Sequence, residues 1–174
     1  MGSIREVLKK AAHKLSESRG TNTPVLDAEL LLLHVLKQNG MDFDRVKLLT
    51  QSGYLIDEKT ADMYMNLIDE RCKGKPVQYI IGRQEFMGFE LYIGEGVLIP
   101  RADTETVVEN VLEKAAGMKK PNIIDMCTGS GAIAVSLAMN IPDARVWAAD
   151  IFDRALDCCI INAARYGLDG NIIG

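Results

Sequence analysis

The sequence predicts an α + α/β protein with an N-terminal helical bundle, a β-hairpin connector and an incomplete parallel sheet flanked by helices. Over residues 1–74, apolar side chains recur at intervals of three and four, the period of a helix that buries one face. Over residues 75–96, aromatic and β-branched residues alternate with polar ones between glycines, which predicts strands. Over residues 97–174, strand-like and helix-like segments alternate, which predicts βαβ units.

The composition of the 174 residues is that of an ordinary globular protein, with 48% hydrophobic and 25% charged residues. A formal net charge of −4 argues against direct nucleic-acid binding through a broad basic surface. The four cysteines show no CxxC spacing and only two histidines are present, so neither a metal site nor a disulfide framework is expected. No apolar run reaches the roughly 20 residues that span a bilayer. The charged N-terminus lacks the apolar core of a signal peptide, so the expected location is cytoplasmic.

Four helices are predicted in the first 74 residues. The first follows an apolar stripe through residues 4–15. The second begins at Thr23-Pro24, a capping residue followed by a proline suited to the first turn. Its four consecutive leucines at 30–33 are wider than a single stripe, so this helix is expected at the centre of the bundle. The other two predicted helices cover residues 44–49 and 57–72.

The β-hairpin connector is predicted over residues 75–96. Apolar and polar residues alternate over 89–93, the period-two pattern of a half-buried strand. Met87-Gly88 is typical of the turn of a hairpin. Two aromatic residues frame this turn, Phe86 and Phe89, and they either form the hairpin core, which is favoured, or border the candidate site.

The last part of the chain, residues 97–174, is predicted to begin with a helix capped by Asp103. Alternating strands and helices then form parallel βαβ units with right-handed crossovers. The first of these strands is predicted to be buried, and the third ends after two residues. The predicted strands cover 122–126, 145–149 and 172–173, and the helices between them cover 131–139 and 153–166.

A glycine-containing loop with the sequence DMCTGSG, residues 125–131, joins the first predicted strand to the next helix. This is the context that a nucleotide-type ligand requires, because Gly129 and Gly131 let the backbone approach a ligand without a Cβ in the way. The N–H groups that open the following helix suit an anionic group. Asp150 ends the second strand, where its carboxylate can accept hydrogen bonds from both hydroxyls of a ribose.

A dinucleotide is the competing interpretation of this loop. Residues 129–134 match the GxGxxG/A fingerprint, and Asp150 matches its ribose-binding acid. Asp125 discriminates between the two ligands, because its carboxylate repels a pyrophosphate but satisfies a cationic amino group, as on the methionine end of S-adenosylmethionine. The sequence therefore favours S-adenosylmethionine over a nicotinamide cofactor. A glycine turn without any ligand is disfavoured because acids flank it at two strand ends.

Four segments outside the loop carry a more specific resemblance: DAELLL over 27–32, PVQYIIG over 76–82, EFMG over 85–88 and VLIPRADTE over 97–105. Together with the loop and Asp150, they resemble the peptide-chain-release-factor glutamine N(5)-methyltransferases of the HemK or PrmC type. The resemblance implies a class I (Rossmann-like) methyltransferase sheet and S-adenosyl-L-methionine as cofactor. The implied reaction is methylation of the side-chain amide of the glutamine in the Gly-Gly-Gln motif of peptide chain release factors. The helical bundle is implied to recognise that protein substrate.

The expected roles of individual residues follow from the loop and the resemblance. Asp150 is expected to hold the ribose, and Ile151 to pack on the adenine. Arg101 resembles a family residue that lies over the cofactor, although a salt bridge at the end of a strand explains it equally well. Cys127 occupies a position where many such loops have another glycine. The loop residues expected to hold the rest of the cofactor are Asp125, Cys127, Thr128, Gly129, Ser130 and Gly131.

Two departures from the family pattern matter. Ala102 stands where the family usually has a proline. The Asn-Pro-Pro-Tyr motif, which in the family holds the substrate amide, has no counterpart before Gly174, so no catalytic residue is predicted within the chain. We therefore expect a chain truncated within its methyltransferase domain, inactive alone and able to self-associate through an uncovered sheet edge. A nicotinamide-dependent oxidoreductase domain and a non-catalytic protein-binding module remain the alternatives.

Overall fold

The structure is a computed structural model that describes residues 2–18, 20–168 and 170–173. The chain divides into two compact units, Met1–Ile81 and Gly82–Gly174. We call them the helical unit and the sheet unit.

The helical unit contains the four predicted helices, each within one or two residues of its predicted bounds. A capping box begins the first helix, where the side chains of Ser3 and Glu6 each bond to the backbone N–H of the other residue. A two-residue antiparallel strand pair and a five-residue helix were not predicted. In chain order the elements are β1 (Gly2–Ser3), α1 (Ile4–Glu17), α2 (Pro24–Gln38), α3 (Arg45–Thr50), β2 (Leu55–Ile56), α4 (Glu58–Cys72) and α5 (Val77–Ile81).

Helix α2 lies at the centre of the helical unit, as its wide apolar face predicts, and packs against both α1 and α4. Leu31 and Leu32 are fully buried. Tyr64 on α4 is also fully buried, and its hydroxyl donates a 3.0 Å hydrogen bond to the Ala28 carbonyl. Such a bond satisfies the polar end of an otherwise apolar side chain. Burial raises the pKa of Tyr64 far above its ordinary value.

The sheet unit begins with the predicted hairpin, formed by β3 (Arg83–Phe86) and β4 (Phe89–Tyr92). Met87 and Gly88 make the turn, both with positive φ, at 52° and 77°. This is the backbone that a two-residue hairpin turn requires. Phe86 is buried, which confirms its predicted place in the hairpin core.

The next helix, α6 (Glu105–Ala115), does not use Asp103 as its N-cap, so that prediction was wrong. Asp103 lies within a short 3-10 helix, Ala102–Thr104, and α6 follows it directly. The Thr104 N–H donates to the Arg101 carbonyl at 3.0 Å. Because a 3-10 turn satisfies leading N–H groups through its own backbone, no side-chain cap is needed.

A three-stranded parallel sheet with order β5-β6-β7 forms the rest of the sheet unit. Asp125 on the first strand is aligned with Ala148 on the second. The strands match their predicted bounds, including a third strand of two residues. The elements are β5 (Asn122–Met126), α7 (Ala132–Asn140), β6 (Arg145–Ala149), α8 (Asp153–Arg165) and β7 (Ile172–Ile173).

The prediction that β5 is a buried strand was wrong. Ile124 and Met126 are 66% and 70% exposed, and Trp147 beside them on β6 is 42% exposed. The opposite face, which carries Val146 and Ala148, is buried. An apolar run is typical of a strand covered on both faces, but among the described residues α7 and α8 cover one face of this sheet. The other face is open.

Candidate cofactor-binding site

The glycine loop follows the carboxyl end of β5 and lies beside the carboxyl end of β6. The Thr128 N–H donates a 3.0 Å hydrogen bond to the carbonyl of Ala149, the last residue of β6. The Gly131 N–H turns back to the Thr128 carbonyl at 2.9 Å. Ligands in open α/β sheets bind outside this edge. The loop therefore lies where the sequence predicts it.

Asp125 is a buried carboxylate at the base of this loop, with 7% of its surface exposed. The Thr128 hydroxyl donates a 2.6 Å hydrogen bond to Asp125 Oδ2. Burial raises the pKa of the Asp125 carboxyl above its ordinary value, the Thr128 bond opposes the rise, and the nearby negative charge of Asp150 adds to it. A positive group placed here would offset both the cost of desolvating Asp125 and its repulsion by Asp150.

Asp150 is the second carboxylate of the site and has the opposite electrostatic character. Its Oδ2 accepts a 2.9 Å hydrogen bond from the Gly129 N–H, and its Oδ1 accepts a 3.1 Å bond from the Phe152 N–H. The Gly129 bond is the main reason that the pKa of Asp150 is lowered. Because an ionised carboxylate offers about four acceptor positions, Asp150 can accept bonds from a ligand in addition to these.

The two glycines of the loop serve different purposes. Gly129 has φ +58°, and a Cβ on it would meet nothing within 4 Å, so it faces open space. Gly131 has φ +78°, and a Cβ on it would lie 2.6 Å from Cys159 Sγ on α8. Gly131 therefore permits close packing between the loop and α8, a role in addition to the ligand approach that the sequence predicts.

The remaining predicted cofactor residues differ in accessibility. Ser130 is buried, whereas Ile151 directly after Asp150 is 87% exposed. Cys127 is exposed and has φ +62°, a left-handed backbone that favours glycine. Arg101 is exposed at the start of the 3-10 helix. Glu105, the first residue of α6, accepts a 2.7 Å hydrogen bond at Oε1 from the Met87 N–H in the hairpin turn.

Asn162 on α8 is a site residue that the sequence analysis missed. It is fully buried, and its side chain donates a 2.8 Å hydrogen bond to the Ser130 carbonyl within the loop. The two residues are 32 positions apart. No local pattern in the sequence marks a contact over that separation.

A cavity of about 310 Å³ lies beside the end of β4 and the middle of α8. None of its lining residues is a predicted cofactor residue, so the candidate site is instead the open surface at the strand ends. The cavity is lined by Tyr92, Gly94, Glu95, Val97, Arg154, Asp157, Cys158 and Ile161.

The described part of the chain holds no cluster of three histidine, cysteine or acidic residues that could bind a metal ion. Within the same residues, none of the helices is both long and apolar enough to cross a bilayer.

Comparison with known proteins agrees with the resemblance seen in the sequence. The PrmC N-terminal domain family matches residues 6–82. Release factor glutamine methyltransferases from Chlorobaculum tepidum and Moorella thermoacetica are 38% and 39% identical to the chain, each over 98% of it. The enzyme of that name from Koribacter versatilis is 42% identical over 89% of the chain. The chain spans 58%, 58% and 54% of the lengths of these three relatives.

Among solved structures, the chain is similar to precorrin-6y C5,15-methyltransferase from Geobacter metallireducens GS-15. The match covers 48% of this chain and 42% of that one, with a TM-score of 0.38 and 14% sequence identity. These values are too low to establish a shared fold.

Proposed function

We propose that this chain, a homologue of the release factor glutamine methyltransferases over 98% of its length, provides the S-adenosyl-L-methionine site of such an enzyme. The observation that carries the proposal is the pair of strand-end carboxylates beside the glycine loop. Asp125 is buried with a raised pKa, whereas the N–H groups of Gly129 and Phe152 lower the pKa of Asp150. One acid thus needs a cation and the other offers free acceptors.

Asp125 fits the amino group of the methionine part of the cofactor. Its desolvated carboxylate, already repelled by Asp150, gains most from a positive partner. The Thr128 hydroxyl bonds to Oδ2 and so orients the carboxylate. A pyrophosphate at the same place would add negative charge to the two acids, so the geometry disfavours a dinucleotide.

Asp150 fits a ribose. The Gly129 and Phe152 N–H groups orient its carboxylate, whose remaining acceptor capacity suits the vicinal hydroxyls of a ribose. Gly129 leaves open space beside it. The exposed side chain of Ile151 provides an apolar surface on which an adenine can pack. Cys127, Ser130 and Arg101 remain proposed cofactor contacts on the strength of the resemblance.

The proposed reaction is methylation of the glutamine side-chain amide in the Gly-Gly-Gln motif of a peptide chain release factor. When bound, the cofactor supplies a sulfonium methyl group that is already activated for transfer. Residues of this chain hold and orient that donor through Asp125, Thr128 and Asp150. No base within the chain is required to remove a proton before transfer. An amide nitrogen is a poor nucleophile and must be oriented by hydrogen bonds, and the Asn-Pro-Pro-Tyr motif that does so in the family is not in this sequence.

The sheet and the helical unit each have a proposed role as a whole. The β5-β6-β7 sheet is proposed as part of a class I (Rossmann-like) methyltransferase sheet, in a cytoplasmic protein. The helical unit is proposed to recognise the release factor. Strands β5 and β7 each pair on one side only within the described residues, so self-association through a sheet edge is proposed as well.

Transfer of a labelled methyl group from S-adenosylmethionine to a release factor tests the function. The protein that contains this chain is incubated with the release factor, and mass spectrometry locates the label. We expect label on the Gly-Gly-Gln glutamine, a loss of at least about a hundredfold in Asp150→Ala, and no change in Asp143→Ala, an exposed acid outside the site. Cofactor binding without any methylation of the release factor would overturn the substrate assignment.

A further inference from the structure

Helix α8 faces the edge of β4 that does not pair with β3. An unpaired strand edge leaves backbone donors and acceptors that need other partners. At Glu90, the carbonyl accepts a 3.0 Å bond from Arg165 Nη1 and a 2.9 Å bond from the Tyr166 hydroxyl. At Tyr92, two positions along the strand, both backbone groups bond to the Asn162 amide. Side chains of α8 therefore replace a neighbouring strand.

The Asn162 amide uses every one of its strong hydrogen-bonding groups. Its Oδ1 accepts a 2.7 Å bond from the Tyr92 N–H, and its Nδ2 donates to the Tyr92 carbonyl at 2.9 Å. The second Nδ2 hydrogen goes to the Ser130 carbonyl at 2.8 Å. Since one end accepts and the other donates twice, this network also fixes which way the amide points.

Asn162 also bonds to the glycine loop, whereas Arg165 at the end of α8 and Tyr166 directly after it bond to Glu90. The Ser130 carbonyl that it holds belongs to the peptide immediately before Gly131. Gly131 in turn packs against Cys159, three residues before Asn162 on the same helix. Helix α8 thus fixes two consecutive residues of the loop, one by a hydrogen bond and one by contact.

We infer that Asn162 is a positioning residue for the cofactor, coupling the hairpin strand β4 to the glycine loop through its side-chain amide. This inference rests on the proposed function, because it takes the loop to be the cofactor site. Removal of the amide leaves the Ser130 carbonyl and the Tyr92 N–H without this buried partner. The Tyr92 carbonyl keeps the Cys158 thiol as a donor at 3.1 Å. The loop should then lose its fixed backbone even if the hairpin stays docked.

Titration calorimetry of the chain with S-adenosylhomocysteine tests the inference, with Tyr166→Phe as the matched control. Both substitutions remove contacts between α8 and β4, and both should lower the melting temperature. In Asn162→Ala we expect the Kd to rise about tenfold or more, because a buried acceptor in the loop is left unsatisfied. In Tyr166→Phe, which does not touch the loop, the Kd should stay within about twofold. Equal Kd values for Asn162→Ala and the unsubstituted chain would overturn the inference.

Two further measurements keep the outcome decisive. If Asn162→Ala does not fold, Asn162→Leu has a similar size, leaves no cavity and lacks both donors, so the same rise in Kd is expected. If the unsubstituted chain does not bind S-adenosylhomocysteine, the proposed cofactor is wrong, and amide hydrogen exchange tests the coupling by itself. Exchange at the Gly131 amide should then be at least about tenfold faster in Asn162→Ala than in Tyr166→Phe. Equal exchange rates would show that Asn162 does not fix the loop.

Discussion

The central helix of the helical unit buries its apolar side chains, whereas a strand of the sheet unit leaves several of its own exposed. On α2, Leu31, Leu32 and Val35 are completely buried. On β5, Ile124 and Met126 are mostly exposed although the strand is almost as apolar. The helical unit thus has a closed core, whereas within the described residues one face of the sheet is uncovered. The candidate cofactor site lies at the strand ends of the sheet unit, outside the core of either unit.

The glycine loop at the strand ends places two carboxylates in different environments. Asp125 is desolvated and Asp150 is held ionised by backbone N–H groups, so the same short segment raises one carboxyl pKa and lowers the other. A closed core could not keep both acids accessible to a ligand. Substitutions in the core of the helical unit should therefore change stability alone, and substitutions in the loop should change stability and binding separately.

The largest effect is expected from Tyr64→Ala in the core of the helical unit. Loss of a fully buried aromatic ring and of its bond to Ala28 should lower the free energy of unfolding by about 3–5 kcal/mol. Urea unfolding followed by far-ultraviolet circular dichroism measures it. Leu49→Ala, at a side chain that is 74% exposed, is the control and should stay within about 0.5 kcal/mol. A Tyr64→Ala effect below about 1 kcal/mol would contradict the closed core.

Gly131→Ala should have the next largest effect. The new Cβ would lie 2.6 Å from Cys159 Sγ in a left-handed backbone, so we expect a loss of roughly 3 kcal/mol together with loss of cofactor binding. Gly129→Ala has the same backbone cost but open space, and should lose only about 1–2 kcal/mol. Thermal unfolding monitored by the fluorescence of Trp147, the one tryptophan of the sequence, compares the two. Equal losses would show that the contact with α8 does not matter.

Asp125→Asn should separate stability from binding. The raised pKa means that the folded protein holds the Asp125 proton more tightly than the unfolded chain does, so ionisation destabilises the fold as the pH rises above about 4. Asparagine removes that charge and can still accept the Thr128 bond. We expect a gain in stability at pH 7 and at least about a tenfold loss of affinity for S-adenosylmethionine.

The pH dependence provides the control for this variant. Asp150, whose pKa is lowered, contributes stability above its unfolded value of about 3.9, and this contribution is lost as the pH falls through its folded pKa. Asp150→Asn should therefore lower stability at pH 7 where Asp125→Asn raises it. Chemical unfolding from pH 3 to pH 7 checks both signs, and two losses at pH 7 would refute the contrast between the acids.

The smallest expected effect is that of Cys127→Gly. Cysteine at φ +62° bears the steric cost of the left-handed region, which glycine does not, and the greater flexibility of unfolded glycine offsets part of the gain. We expect stabilisation of up to about 1 kcal/mol, measured by thermal unfolding. Destabilisation would show that contacts of the Cys127 side chain stabilise the fold by more than the left-handed backbone costs.

Much of the fold could be predicted because the signals are local. The parallel strands, the helices of the bundle and the Met87-Gly88 turn each leave a pattern within a few neighbouring residues. Helix α5 was missed because five residues are too few for a helical period to show. The pair β1-β2 joins segments more than fifty residues apart, so no local pattern marks it.

Part of the candidate site could also be predicted, because local patterns mark the ends of the strands. Asp125 and Asp150 follow strands, and the carboxyl ends of parallel strands share one edge of the sheet. The opposite shifts of their pKa values depend on burial and on N–H groups that only the folded loop supplies. The exposure of Ile124 depends on which helices cover the sheet, and the contacts of Asn162 span 70 residues to Tyr92. These features are set by tertiary packing, which periodicity does not encode.

Parallel titrations of the chain with S-adenosylmethionine and with NAD test the central claim most directly. The two strand-end acids should give saturable binding of S-adenosylmethionine that weakens at least about tenfold in Asp125→Asn, with no detectable binding of NAD. Binding of NAD alone, or affinity for S-adenosylmethionine that is unaffected by Asp125→Asn, would contradict the assignment of this loop.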